Sequence, residues 1–536
     1  MFHDFSRQKI STVIFITFFL SGSVFLTTFV INKLGDDFLR DNLVEVKIAL
    51  NAFKYKVSFA YANNKNLAAA VISIFDNASP IIENNNNAKS IPVLLYHGIV
   101  ENADRFNITQ EGFFEQMNAL RSEGYVAINI EQFYDFIKNK GSLPPNPILI
   151  VFDDGRKDSY YGAQPILKAL GYQATMFVAV EESLPLERGK KPSNYYLSEY
   201  ELKKMIASGV WSIQSHAMQK TGGFVPIDAG GTQRNFLSNK MWLRDKTRVE
   251  NDEEYAERVL WELSSSKKIL EEKFEKPRFA FAYPFGDYGQ QQVNNPNAQE
   301  VIAKSLKEAG YAFAFRQVWD NDTEYTHNYP DNRAFLLKRI EPSPSWSGAE
   351  LVERLAGGEE KTLPYTANKF KKFDWRISWG NLEINNSSLR ISASGTSSGA
   401  LTLLDGSSAW EDYILNVVIN WNKGSHVSLL GRFENNENYV ACSFNDNTLR
   451  IEQYLNSKKR IMVEKDTFFE MSKKDVHLGI IVNKDKVECL VNGNSVIYSY
   501  YLSPVLSHGG IGLKTWDPEI NNSEIVVKNI SVEEIK

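Results

Sequence analysis

Two adjacent aspartates and a glycine, Asp153-Asp154-Gly155, stand at the end of the apolar run PILIVF (147–152). Neighbouring side chains on a strand point to opposite faces. Once the strand stops, a turn at Gly155 can bring both carboxylates into one pocket. Two ionised carboxylates so placed repel, and one proton or one cation relieves the repulsion. The same three residues also suit a solvated turn in which Asp154 caps the next helix. Other reactive residue types fall at comparable places. His97 follows the run at 91–96, His216 follows that at 210–215, Pro284, Phe285 and Gly286 close the run at 278–284, and Arg339 lies in 335–340. Asp with His is a common ligand pairing for Zn²⁺ and similar ions. A lone His216 equally suits a structural role.

The elements that must position these residues are legible as alternating strands and helices. Candidate strands are 91–96, 125–130, 147–152, 173–180, 210–215, 278–284, 311–316 and 335–340, several of them apolar almost throughout, as strands buried on both faces are. Ser198 with Glu201, and Asn251 with Glu254, have the spacing of helix N-terminal capping boxes. Eight β–α units predict a parallel, TIM-like (β/α) barrel. In such a barrel the C-terminal strand ends share one face, and catalytic groups sit there.

The segment ILIVFDDGRKDSYYGAQPILKALGYQATMFV closely resembles the first signature of polysaccharide deacetylases with the NodB-homology domain, carbohydrate esterase family four. LSEYELKKMIASGVWSIQSH resembles the lead into their second motif, FAYPFG (281–286) their third, and IPVLLYHGI (91–99) the opening strand of the subgroup acting on exopolysaccharide, including poly-N-acetylglucosamine. The resemblance spans about residues 91–345 and implies a deformed β/α barrel. It implies Asp153 as general base, Asp154 and His216 as ligands of a divalent ion (Zn, with Co or Ni as alternatives), and His97 as the acid that protonates the leaving amine. The backbone near Phe285, beside Pro284, would hold the oxyanion. The sequence departs from the pattern twice. Lys220 and Thr221 stand where a second motif histidine is expected, with Asp228 a conceivable oxygen ligand on the same loop. Ala282 stands where an arginine usually contacts the base, and Arg339 can replace it. The long connection 217–250 carries Trp242, which suits either a substrate groove or surface packing.

After about residue 358 the helical patterns vanish and short strands with turn signals follow, including Asn492-Gly493 between alternating runs, a hairpin signal. This predicts an all-β sandwich resembling concanavalin-like or laminin-G-like jelly rolls. Trp375, Trp379, Trp410, Trp421 and Trp516 suit either stacking on sugars or a sandwich core. Cys442 and Cys489, the two cysteines of the chain, make either one bridge or two buried thiols.

The chain has 536 residues and a formal net charge of −5, too near neutral to favour nucleic acid. Residues 10–32 hold no charged side chain, enough length to cross a bilayer, and Arg7 and Lys9 precede them. The expected organisation is a cytoplasmic tip and transmembrane anchor (1–35), a helical stalk and Asn-rich linker (36–90), a deacetylase barrel (91–357) and a β-sandwich (358–536). The expected function is a membrane-anchored, metal-dependent deacetylase of an N-acetylated extracytoplasmic polysaccharide at the cell (inner) membrane. Exopolysaccharide synthesis or export machinery is an expected partner. The alternatives are a degenerate barrel that binds polysaccharide without turnover, and a tether for envelope assembly.

Overall fold

The computed structural model describes residues 48, 50–55, 88–138, 143–185, 193–318, 326–330, 334–445, 447–466 and 475–535. The expected membrane anchor, and the stalk and linker almost entirely, lie outside the described residues. No described helix is long and apolar enough to cross a membrane.

All eight expected parallel strands are present: β1 (Val93–Tyr96), β2 (Val126–Ile128), β3 (Pro147–Phe152), β4 (Ala174–Val178), β5 (Trp211–Ser215), β6 (Ala280–Ala282), β7 (Phe313–Val318) and β8 (Leu337–Ile340). Seven of them close a ring in the order β1-β8-β7-β6-β5-β4-β3, which returns to β1 through the pairing of Val93 with Leu149. The eighth, β2, pairs only with the first half of β3 (Val126 with Pro147 through Ile128 with Leu149), and β4 takes up the second half. This is the deformation of the barrel. The strand expected to run to residue 130 stops at Ile128, because Asn129 caps the next helix in a capping box with Gln132.

Helices α1 (Gln110–Ser122), α2 (Ile130–Ile137), α3 (Lys157–Leu170), α4 (Glu199–Ala207), α5 (Asp252–Phe274), α6 (Ala298–Glu308) and α7 (Gly348–Gly358) alternate with the strands. The expected capping boxes at Ser198–Glu201 and Asn251–Glu254 start α4 and α5.

The period of two along each strand sorts the core. Leu94, Tyr96, Ile148, Ile150 and Phe152 belong to the layer shared with the helices. Val93, Leu95, Leu149, Val151, Ala280, Ala282, Phe313, Phe315 and Leu337 fill the barrel interior, together with Phe133 of α2, whose ring lies 5.3 Å from that of Phe315. Extending this alternation beyond the strand ends places His97, Asp153 and Arg339 on the inward side.

After α7 the chain forms two antiparallel sheets. One runs in the order Asn381–Asn385, Ser388–Ser392, Glu524–Glu534, Tyr413–Lys423, Val476–Asn483, Lys486–Val491, Asn494–Ser499, with Tyr365–Ala367 added beside Glu524–Glu534. The other runs Trp375–Trp379, Gly399–Leu404, Gly510–Trp516, His426–Asn435, Asn438–Asn445, Thr448–Leu455, Lys458–Asp466. Both contribute to one apolar core. Cys442 and Cys489 form a disulfide that joins the two sheets within it. The Asn492-Gly493 hairpin is present, with positive φ at both residues. Trp375, Trp410 and Trp421 are buried in this core, and Trp379 and Trp516 are partly covered, so the first three serve packing rather than an exposed sugar platform.

Candidate active site

The inward alternation of β3 delivers Asp153 into the barrel mouth, 3% exposed. Asp154 should by the same alternation face the helices. Instead its backbone turns left-handed (φ 73°), followed by Gly155 (φ 81°). Such a conformation costs a non-glycine residue roughly 1 kcal/mol or more. The turn swings the second carboxylate back over the mouth, where both aspartates face His216. Asp154 does not cap α3: Arg156 occupies that position and makes no side-chain capping bond. Gly155 is required here, since a Cβ would meet the Ser183 hydroxyl and Val178 at 3.0 and 3.3 Å.

Asp153 is locked from the opposite wall. Arg339 on β8, 1% exposed, donates from Nη1 to Asp153 Oδ1 at 2.6 Å. Burial alone would raise the Asp153 pKa. The Arg339 guanidinium, with His216 and His97, outweighs it and holds the carboxyl below its ordinary range. Asp153 is therefore an ionised acceptor with Oδ2 free of Arg339. Ala282 and Arg339 both face the interior, so the arginine that sequence comparison expects at 282 arrives from a different strand.

His216 follows β5 and is 3% exposed. Its Nδ1 lies 2.9 Å from the carbonyl oxygen of Ala282. A carbonyl can only accept, so Nδ1 carries a proton and is committed to Ala282, which leaves Nε2 as the ring nitrogen facing the carboxylates. Nε2 lies 3.6 Å from Asp154 Oδ1 and 3.8 Å from Asp153 Oδ2. These distances are too long for hydrogen bonds. Two ligands about 2.1 Å from one tetrahedral ion stand roughly 3.4 Å apart, so the imidazole and the Asp154 carboxylate fit a shared divalent cation. Among the described residues no group of three or more His, Cys, Asp or Glu forms a metal cage.

The positions expected to hold a second histidine are turned elsewhere. Lys220 is exposed and its Nζ lies 5.6 Å from the centre of the Trp261 ring, and Thr221 is exposed. Asp228, exposed, accepts from Thr232 N in its own turn at 3.0 Å, so the structure does not bring it to the aspartates. The loop is instead held by Gln219, whose Nε2 donates to the His216 carbonyl at 2.9 Å and whose N donates to Glu262 at 3.0 Å. Burial pushes the Glu262 carboxyl up to about 7 despite that bond.

His97, after β1, sits with Nδ1 2.8 Å from Glu341 Oε1. Burial would lower the His97 pKa, but Glu341, Asp153 and Asp154 together raise it, which favours the imidazolium. Gln317 Nε2 donates to the other Glu341 oxygen at 2.5 Å. Sequence reading passed over Glu341, although it lies two residues beyond Arg339 and so on the same side of the strand. That spacing was the available signal.

Pro284 is buried and Phe285 exposed, in a turn where Phe285 takes φ 59°. The Phe285 ring lies 4.9 Å from that of Phe224, across the loop that follows His216. Trp242 lies in a short hairpin with Val249, half-buried, and the structure does not bring it to the aspartates.

Residues 140–311 match the family model for polysaccharide deacetylase. A poly-beta-1,6-N-acetyl-D-glucosamine N-deacetylase of Staphylococcus aureus is 25% identical over 225 residues, which span 41% of this chain and 66% of that protein, just under two thirds. YxkH of Bacillus subtilis is 24% identical over 276 residues, 51% of this chain and 78% of that protein. Among solved structures, the de-N-acetylase of Aggregatibacter actinomycetemcomitans covers 49% of this chain and 98% of its own length at 22% identity and a TM-score of 0.41. The BpsB deacetylase domain of Bordetella bronchiseptica covers 48% and 98%, at 22% identity and a TM-score of 0.39. The match to the polysaccharide deacetylase family thus falls within the barrel, and the matched segment ends before the all-β region.

Proposed function

We propose that this chain, through its polysaccharide deacetylase domain, is a metal-dependent enzyme that removes acetyl groups from an N-acetylated extracytoplasmic polysaccharide. The carrying observation is the pairing pattern. An ionised Asp153 is held by buried Arg339, and His97 stands beside Glu341 with its imidazolium favoured. A base and an acid are thereby set in opposite protonation states in one mouth.

Asp153 Oδ2 takes a proton from the attacking water, while Arg339 keeps the carboxylate oriented. His216, with Nδ1 committed to Ala282, and Asp154 would hold a divalent ion, Zn²⁺ or alternatively Co²⁺ or Ni²⁺. When bound, that ion lowers the pKa of water and polarises the acetamide carbonyl. The backbone N–H at Phe285 steadies the negative charge that develops on the carbonyl oxygen. His97 passes its proton to the departing amine, and Glu341 stabilises the charged ring until it does. Residues 10–32 anchor the chain in the membrane with the barrel outside the cytoplasm, where exopolysaccharide synthesis or export machinery would meet it. The all-β region is a jelly roll that binds glycan.

Acetate release from N-acetylglucosamine oligomers by the full chain tests this reading. Activity is expected after supply of Zn²⁺, Co²⁺ or Ni²⁺, with loss on chelation. Absence of acetate with every metal would refute it. A second reading, a non-catalytic polysaccharide-binding protein, draws on Lys220 and Thr221 facing away from the site; it requires oligomer binding without acetate release.

A further inference from the structure

We propose that the cavity between the barrel and the all-β region is a subsite for one neutral sugar unit of the polymer, next to the unit being deacetylated. This rests on the function proposed above. The cavity has a volume of about 230 Å³. Glu341 and Trp346 line it from the barrel side, and Phe373, Arg376 and Asp405 from the all-β side.

Its position follows from Glu341. The residue that lines the cavity is the one whose Oε1 stands 2.8 Å from His97 Nδ1. The cavity thus begins beside the group that protonates the amine of the reacting unit. Glu341 is the residue the cavity and the mouth share.

Its lining suits a pyranose. Aromatic rings offer apolar faces, and carboxylate and guanidinium groups offer acceptors and donors for hydroxyls. Glu341 and Asp405 balance Arg354 and Arg376, which favours an uncharged unit over a cationic one. The volume lies below the roughly 300–1,000 Å³ of sites for drug-sized ligands, so it takes one ring rather than a long segment.

Its walls are fixed before any ligand arrives. The Arg354 guanidinium lies 4.0 Å from the centre of the Trp346 ring and 4.6 Å from that of Phe373. Thr326 Oγ1 donates to Asp405 at 2.9 Å, and Lys361 N donates to the Gly406 carbonyl at 2.8 Å. A Cβ on Gly357 would meet the Phe373 carbonyl at 2.1 Å, so the two parts approach backbone to backbone. A preformed cavity loses little ordering entropy on binding.

The test uses the full chain with two substitutions outside the acid–base machinery: Ile377→Trp, at a residue that lines the cavity and would fill it, and Arg376→Ala, which removes a donor. With an N-acetylglucosamine pentamer, KM is expected to rise about tenfold in each variant while kcat stays within about twofold, the signature of lost uniform binding. Single N-acetylglucosamine should be processed as by the unsubstituted chain. The pentamer dissociation constant, measured in an Asp153→Asn background, should rise by the same factor. Unchanged pentamer KM and dissociation constant in both folded variants would overturn the subsite, as would an equal effect on the single unit. If the unsubstituted chain released no acetate, the proposed function would fail, while the dissociation constants would still decide the subsite.

Discussion

The acid–base half of the mouth and the ligand half differ in how fully the protein satisfies its own charges. Asp153 has Arg339 at 2.6 Å, and His97 has Glu341 at 2.8 Å. His216 Nε2 and Asp154 Oδ1 face each other at 3.6 Å, with no proton to share if the ring is neutral. Asp153 has its counter-ion at hydrogen-bond distance as folded, whereas His216 and Asp154 stand too far apart for a hydrogen bond. Pairing alone favours the ionised form of Asp153 and the charged form of His97.

Removing the charge of the base should break the complete half most severely. Asp153→Asn is expected to lower acetate release by about 10³-fold or more, without loss of folding by circular dichroism.

Removing its partner attacks stability as well. Arg339→Met leaves Asp153 buried without its counter-ion, at a cost of about 3–5 kcal/mol in urea unfolding. The sign with pH follows from the depressed Asp153 pKa. Its stabilisation is present above the unfolded carboxylate pKa and is lost as pH falls through the lower folded one. In Arg339→Met the folded pKa rises, so this stabilisation is forfeited and the acid-side loss should shrink. The acid limb of kcat/KM should shift upward with that pKa, since the base then protonates more readily.

Glu341→Gln is a milder change. It withdraws one of the groups that raise the His97 pKa, so the imidazolium is lost at lower pH. The alkaline limb of the pH–rate profile should move down, and the rate on the alkaline side should fall with it. An unshifted limb would remove Glu341 from the acid's control.

The smallest effect belongs to the ligand half's neighbour. Lys220→Ala should leave acetate release within about twofold, because Lys220 lies over Trp261 rather than over the aspartates. A large change would bring Lys220 back into the site.

Much of this was readable from sequence because the period of two is a strong code. The eight apolar runs became the eight parallel strands, and inward alternation carried His97, Asp153 and Arg339 to one mouth. What escaped depended on local backbone or on distant pairing. The left-handed turn of Asp154 is invisible to alternation. The strand expected over 125–130 ends early because Asn129 caps the next helix, a choice made by the local backbone. Glu341 acquires meaning only once His97 is known to stand opposite. The Cys442–Cys489 bridge needed the two sheets to be stacked before the pairing could be decided. Strands such as Asn381–Asn385 and Lys458–Asp466 escaped because exposed, polar strands lack the apolar run that reveals a buried one.

The contrast between the two halves is tested most directly by equilibrium titration of the metal-free chain with Zn²⁺. One ion per chain is expected, lost in Asp154→Ala and in His216→Ala but retained in Asp153→Asn, because Asp153 is committed to Arg339 and the proton. No stoichiometric binding, or an equal loss in Asp153→Asn, would contradict the division of labour between the two aspartates.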